Sequence, residues 1–384
     1  MHLTVFKLHL LDILRIVLMG VNRFANRVKA FINNVRSTGV ELAVVSTPVN
    51  IRYLTGSRIE TFERFGALLV CLRNEESTLI IPKLDEGKVK GLNLSYLTYA
   101  DSEGPKASIE RVTSSCGKVT VVGFESNAPL RHLWLLRSVL GDFKDLLIDD
   151  ALVSLRIVKD EEELTNIKAA VKAIEKGFEA VENSLRAGIS EVKLAEIIRD
   201  AISNAGAEPR DILVQSGPNS AIPHWLPSSR LINNNDVVVV DLTATYNDYY
   251  GDLTRTFTVG NVNGEFMKVY NLVKRAHDEA INAIKDGVTG SYIDSVARHV
   301  ISEEGYGEYF IHRTGHGIGL EVHEEPYISS DYIKVLPRGS VFTIEPGIYL
   351  QGKFGVRLES NIVIGSNGVV EVLDSYLPNI KLKT

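Results

Sequence analysis

Cysteine is nearly missing from this 384-residue chain, which has only Cys71 and Cys116. Two are too few for a disulfide framework, and they have neither the spacing nor the company of a zinc motif, so a reducing, cytoplasmic setting is expected. Excess positive charge is missing too: 42 Lys and Arg against 48 Asp and Glu give a formal net charge of -6. With no basic stripe to neutralise phosphates, nucleic acid is not an expected partner. There is also no uninterrupted apolar run of the roughly 20 residues that a membrane-spanning helix needs. The most apolar stretch, Met1 to Met19, is broken by Lys7, Asp12 and Arg15 and lacks the charged start and small-residue cleavage site of a secretory signal. It reads as a short helix lying on the domain, or as an upstream extension with translation starting at Met19, and no membrane partner is expected.

What is present is an ordinary globular composition, 45% hydrophobic, long enough for two cores. The expected division is an apolar N-terminal extension at 1–20, an α/β domain at 21–152 and a larger α+β domain at 153–384. In the first domain a helical spacing runs from Asn22 to about Ser37. Strands follow at Leu42 to Val45, Ala67 to Leu72, Thr78 to Ile81 and Val119 to Phe124, with a helix from about Leu130 to Leu140. Nothing there resembles a phosphate-binding glycine loop. Lys159-Asp160-Glu161-Glu162-Glu163 then marks both the change of domain and the acidic first turn of a long amphipathic helix. Further helices are expected after Ser190, from Glu265 to Lys285 and from Ser291 to Glu304. Between and after them lie the strongly β-forming runs Val237 to Ala244, Tyr249 to Val259, Val341 to Leu350 and Val356 to Ile364. Helices set against a largely antiparallel sheet make an α+β domain.

The chemistry sits on those strands. Val237-Val238-Val239-Val240 ends in Asp241, and Asp252 follows eleven residues later. If Asn247-Asp248 is the hairpin turn, Tyr246 pairs with Tyr249, Asp241 with Thr254 and Thr243 with Asp252, so the two aspartates share one face. A one-residue slip would separate them, and on this stretch alone a turn residue plus a surface charge stays open. A second hairpin carries Glu345 and Glu359, which a loop centred on Gly352 sets directly opposite each other. Opposed like charges destabilise a sheet unless something positive lies between them. Four such carboxylates with a nearby imidazole suit two divalent cations: manganese or cobalt, with zinc as the other candidate. The imidazoles cluster in Ile311-His312-Arg313-Thr314-Gly315-His316-Gly317 and at His323. The glycines there predict a closely approached extended backbone rather than a helix.

From about Leu155 to Val370 the chain resembles the creatinase, aminopeptidase P and methionine aminopeptidase family, the pita-bread metallopeptidases. The resemblance rests on Asp241, Asp252, His316 in Gly-His-Gly, Glu345 in Thr-Ile-Glu-Pro-Gly, and Glu359, in the family's order and contexts. It implies that Asp241 holds one metal, His316 and Glu345 the other, and that Asp252 and Glu359 bridge both. It also implies that a hydroxide between the metals attacks the peptide bond while Glu345 transfers its proton. By the same resemblance His224, His312 and His323 contact the substrate or its tetrahedral intermediate, and Arg357 supports the ligand cluster. The first domain, with Asn50-Ile51-Arg52-Tyr53-Leu54-Thr55-Gly56, resembles the creatinase-type domain of proline-specific members. That implies a homodimer, with Arg52 and Arg58 as candidate contacts. The implied activity is cleavage of the Xaa-Pro bond at a peptide N-terminus, on a substrate with proline at its second position. Aminopeptidase P is the leading reading and Xaa-Pro dipeptidase (prolidase) the alternative; methionine aminopeptidase and a non-catalytic peptide-binding role stand behind both. One departure favours longer peptides: Tyr327 stands where dipeptidases of the family tend to carry an arginine for the substrate's free carboxylate. A second, Thr243 in place of glycine, is expected to lie behind the ligands with little effect.

Overall fold

A computed structural model describes residues 23–261 and 264–376; the extension expected at 1–20 lies outside them. The chain forms two compact units that divide between Arg156 and Ile157.

In the first unit α1 spans residues 23–36. It is followed by β1 (Leu42–Val45), α2 (Pro48–Thr55), β2 (Ala67–Cys71), β3 (Glu76–Pro82), β4 (Ser95–Tyr99), α3 (Lys106–Cys116), β5 (Val121–Phe124), α4 (Leu130–Leu140), β6 (Lys144–Leu147) and α5 (Asp149–Ile157). The sheet order is β4-β3-β2-β1-β5-β6. Both central strands, β1 and β2, are buried along their whole length, as continuous apolar runs are when a sheet is covered on both faces. The Asn50 to Gly56 motif proves to be the body of α2: Pro48 starts the helix and Gly56, at φ 76°, ends it in the left-handed conformation glycine tolerates. Two cysteines gave no reason to expect a disulfide, but Cys71 at the end of β2 and Cys116 at the end of α3 are joined, with Cα atoms 5.5 Å apart.

The second unit comprises α6 (Glu161–Ser184), α7 (Glu191–Asn204), β7 (Glu208–Ser216), β8 (Val237–Tyr246), β9 (Tyr249–Thr258), α8 (Gly264–Asn282), α9 (Gly290–Glu303), β10 (Gly315–Gly317), β11 (Glu324–Ile328), β12 (Val341–Ile344), β13 (Gly347–Leu350), β14 (Phe354–Arg357), β15 (Ser360–Ile364) and β16 (Val370–Val372). Its strand pairs are all antiparallel among the described residues, in the orders β7-β8-β9, β11-β10-β12-β15-β16 and β13-β14. This is an α+β domain, the pita-bread architecture. The acidic start of α6 is a capping box: Asp160 accepts from the Glu163 amide, and the Glu163 side chain accepts from the Asp160 amide. The apolar faces of α6 and α7 pack on β8 and β9 around Phe178, Ile198, Val240 and Phe257. Those of α8 and α9 pack on β12 to β15 around Val273, Ile301, Phe342 and Val356. Two helix pairs thus each back a strand hairpin, leaving the other faces of the hairpins to meet.

The two long strands expected at Val341 to Leu350 and Val356 to Ile364 are each interrupted, at Glu345-Pro346 and Leu358-Glu359. Pairing stays in register on both sides of the break, Ile344 with Ser360 and Gly347 with Arg357. At the break the backbone turns to other neighbours. The Glu345 amide donates to the Thr314 carbonyl at 2.7 Å and the Glu359 amide to the Thr254 carbonyl at 3.1 Å. Pro346 has no amide to continue the ladder. The interruption therefore ties the second hairpin to the first and to the strand carrying His316.

Candidate active site

The first hairpin folds as its turn chemistry dictates. Asn247 and Asp248 take positive φ, 48° and 71°, as a two-residue turn matching strand twist requires. Tyr246 then faces Tyr249, Asp241 faces Thr254, and Thr243 faces Asp252. Asp241 and Asp252 share the predicted face. Thr243 is buried and accepts a 2.8 Å hydrogen bond from the Asp211 amide through its hydroxyl.

His316 sits on β10 between glycines whose absence of a side chain is a steric necessity. A Cβ at Gly315 would collide with the Thr343 carbonyl, and one at Gly317 with the Glu325 carbonyl. The strand is wedged between β11 and β12, which brings the imidazole to the carboxylates. His316 Nδ1 lies 3.1 Å from the Gly317 carbonyl oxygen. Only an N–H can approach that atom as a partner, so Nε2 carries the lone pair. Nε2 is 3.4 Å from Glu345 Oε1 and 3.8 Å from Asp252 Oδ2.

Ligand atoms of Asp252, His316 and Glu359 all lie within 4.8 Å of one another. Burial and the charges of Glu359, Asp241 and Glu345 hold the Asp252 carboxyl well above its ordinary range, and Glu359 is raised in the same way. Burial pushes Glu345 up to about 7, against the opposing charge of Arg357. Burial and then His323 depress His316, keeping it neutral. Asp252 Oδ1 and Glu359 Oε1 are buried with no hydrogen-bond partner, which is costly unless something positive completes them. This oxygen-rich set with one neutral imidazole nitrogen fits a divalent cation.

Asp241, Asp252, His316, Glu345, Glu359, His224, His312, His323 and Arg357 all line a single cavity of about 470 Å³. Within it Asp241 is held apart from the three-residue cluster, accepting a 2.7 Å hydrogen bond from Arg357 Nη2 at Oδ2. Arg357 is buried and also donates to the Tyr349 hydroxyl at 2.8 Å and to Thr254 Oγ1 at 3.1 Å. Thr254 Oγ1 in turn donates to Glu359 Oε2 at 2.8 Å. His312 places Nδ1 2.7 Å from the Arg313 carbonyl and Nε2 2.8 Å from the Tyr349 hydroxyl. With Nδ1 donating, Nε2 accepts from Tyr349, so both ring nitrogens are engaged within the protein. His323 stacks edge-on to His316 with ring centroids 4.2 Å apart.

Three participants escape sequence reading. Tyr349, four residues after Glu345, joins Arg357 to His312, and only its place in Gly347-Ile348-Tyr349 hints at the site. Arg313 lines the cavity beside His312. Glu191, at the first turn of α7, is fully buried and anchors the segment carrying His224. It accepts from the Ser216 amide and hydroxyl, Asn219 Nδ2, and the Ser228 amide and hydroxyl, at 2.6 to 3.0 Å. Burial raises its pKa, but these donors outweigh that and hold the carboxyl below its usual value. Glu191→Gln is therefore expected to destabilise the protein by about 2 kcal/mol and to raise KM more than it lowers kcat. Steady-state kinetics checks this, and a wild-type KM would mean the segment is held elsewhere.

Residues 165–366 match metallopeptidase family M24, and residues 27–158 match the creatinase/prolidase N-terminal domain. The chain is 36% identical over 366 residues to a probable dipeptidase, PepE, of Mycobacterium tuberculosis, covering 92% of this chain and 96% of that protein. Two solved structures from Pyrococcus horikoshii superpose closely. A dipeptidase is 35% identical with a TM-score of 0.86, and a prolidase is 31% identical with a TM-score of 0.85. Each comparison covers 92% of this chain and 99% of the other.

Proposed function

The chain belongs to metallopeptidase family M24, and from that membership we propose that it is an Xaa-Pro dipeptidase, hydrolysing dipeptides with proline at the second position. Aminopeptidase P activity, the leading reading of the sequence, gives way to its alternative. Relatives named dipeptidase and prolidase match nearly the whole chain, and that outweighs the absence of arginine at Tyr327. The observation that carries the catalytic reading is the convergence of Asp252, His316 and Glu359 on one cavity floor, with two buried carboxylate oxygens unpartnered.

Asp241, Asp252, His316, Glu345 and Glu359 would together hold two divalent cations, manganese, cobalt or zinc. Bound there, such cations supply Lewis acidity and lower the pKa of water. The protein's own groups do the rest. Glu345, half-buried in the cavity wall, takes a proton from the attacking water and passes it to the leaving nitrogen. His323, at the cavity mouth, donates to the oxyanion that develops on the carbonyl oxygen. Arg357 holds Asp241 in place through the hydrogen bond from Nη2. The test compares Ala-Pro, Ala-Pro-Pro and Met-Ala-Ser with each metal, before and after chelation. Ala-Pro should be cleaved at least about tenfold faster than either tripeptide, with activity lost on chelation and restored by metal. Preference for Ala-Pro-Pro would restore the aminopeptidase P reading. Cleavage of Met-Ala-Ser alone would overturn proline specificity, and activity surviving thorough metal removal would overturn the metal centre.

A further inference from the structure

The active-site cavity is walled by two guanidinium groups, Arg357 and Arg313. Arg357 is committed to Asp241, Tyr349 and Thr254. The Arg313 guanidinium is half-buried and makes no hydrogen bond or ion pair with any described residue. It lies over the Tyr327 ring, 4.4 Å from the centroid. That platform is itself fixed. Tyr327 is the cross-strand partner of His316, and its ring packs edge-on to Tyr332, whose hydroxyl donates to Glu325 at 2.9 Å. A guanidinium lying against a ring is held by cation–π attraction while its N–H edge stays open to a planar oxyanion. Every carboxylate lining this cavity is a candidate metal ligand or is paired with Arg357, so among the described residues no carboxylate is left over to pair with Arg313.

A dipeptide differs from a longer peptide, or from its own amide, in carrying a carboxylate one residue beyond the scissile bond. We propose that Arg313, held on Tyr327, receives the C-terminal carboxylate of the dipeptide substrate and sets the preference for dipeptides over longer chains. The inference rests on the dipeptidase reading and deepens it. Tyr327 then supports a cation contributed by a residue fourteen positions earlier in the chain.

The test measures kcat/KM on Ala-Pro and Ala-Pro amide for the metal-loaded wild type, Arg313→Met and Arg313→Lys, with L-proline and L-prolinamide titrated against each. Wild type should prefer Ala-Pro to its amide. Arg313→Met should lose about 10- to 100-fold on Ala-Pro, mainly through KM, so that the ratio of acid to amide falls towards unity and proline no longer binds better than prolinamide. Arg313→Lys, which keeps the charge but not the flat fork, should retain part of the preference. If Arg313→Met lowers acid and amide equally, or leaves their ratio intact, the assignment of Arg313 is overturned while the dipeptidase reading stands. A wild type that cleaves no dipeptide overturns both.

Discussion

Asp252→Asn is expected to lower kcat/KM by about 10³-fold or more and yet to make the metal-free protein more stable. The loss follows because a bound cation supplies several kcal/mol of transition-state stabilisation, and each 1.36 kcal/mol removed is tenfold in rate. The gain follows from crowding. Asp252 is 5% exposed, its Oδ1 has no partner, and its carboxyl is raised by burial first and by the neighbouring carboxylates next. Without metal, Asp252, Glu359 and Glu345 keep protons in the folded state that the unfolded chain releases. Their contribution is therefore least unfavourable at low pH. It becomes destabilising as pH rises from the unfolded carboxylate range near ~4 through the value of about 7 for Glu345. Asparagine removes one charge from that set. Urea denaturation of the chelated proteins from pH 5 to 8 should show the variant overtaking the wild type as pH rises, whereas added metal should stabilise only the wild type. A variant less stable than wild type at pH 8 without metal would mean that these carboxylates do not repel one another.

Arg357→Met should have the second-largest effect, on stability as much as on rate. Arg357 is 3% exposed and is the direct counter-charge of Asp241. Removing one partner of a buried pair costs about 3–5 kcal/mol, because the other charge is left uncompensated. The same change frees the Tyr349 hydroxyl, which anchors His312, so kcat/KM should fall about 10²-fold or more as supporting contacts are lost. Arg357→Lys should recover part of the stability through its charge but little of the rate, since an ammonium cannot span Tyr349, Thr254 and Asp241 together. Denaturation midpoints and kinetics on Ala-Pro measure both effects. A methionine variant as stable and as active as the wild type would remove Arg357 from the account.

The first hairpin was legible because its register follows from local chemistry. Asn247-Asp248 supplies the turn, the period of two does the rest, and the pairing of Asp241 with Thr254 is the one observed. The opposition of Glu345 and Glu359 follows likewise from a loop about Gly352. The breaks at these residues were not legible, because they arise from long-range amides reaching Thr314 and Thr254. Short strands such as β10 and β16 exist through pairing alone and have no periodicity to read. Glu191 and Tyr349 were missed because a lone buried polar residue in a helix or strand carries no local signal of what it holds. The link of Cys71 to Cys116 depends on α3 packing beside β2, which a count of cysteines does not contain.

Metal content measured together with turnover tests the central claim most directly. The protein should bind about two divalent ions per chain. Cleavage of Ala-Pro should disappear as they are stripped and return as they are replaced, while Asp252→Asn binds fewer ions and stays inactive. Full Ala-Pro hydrolysis by a protein freed of metal would contradict it.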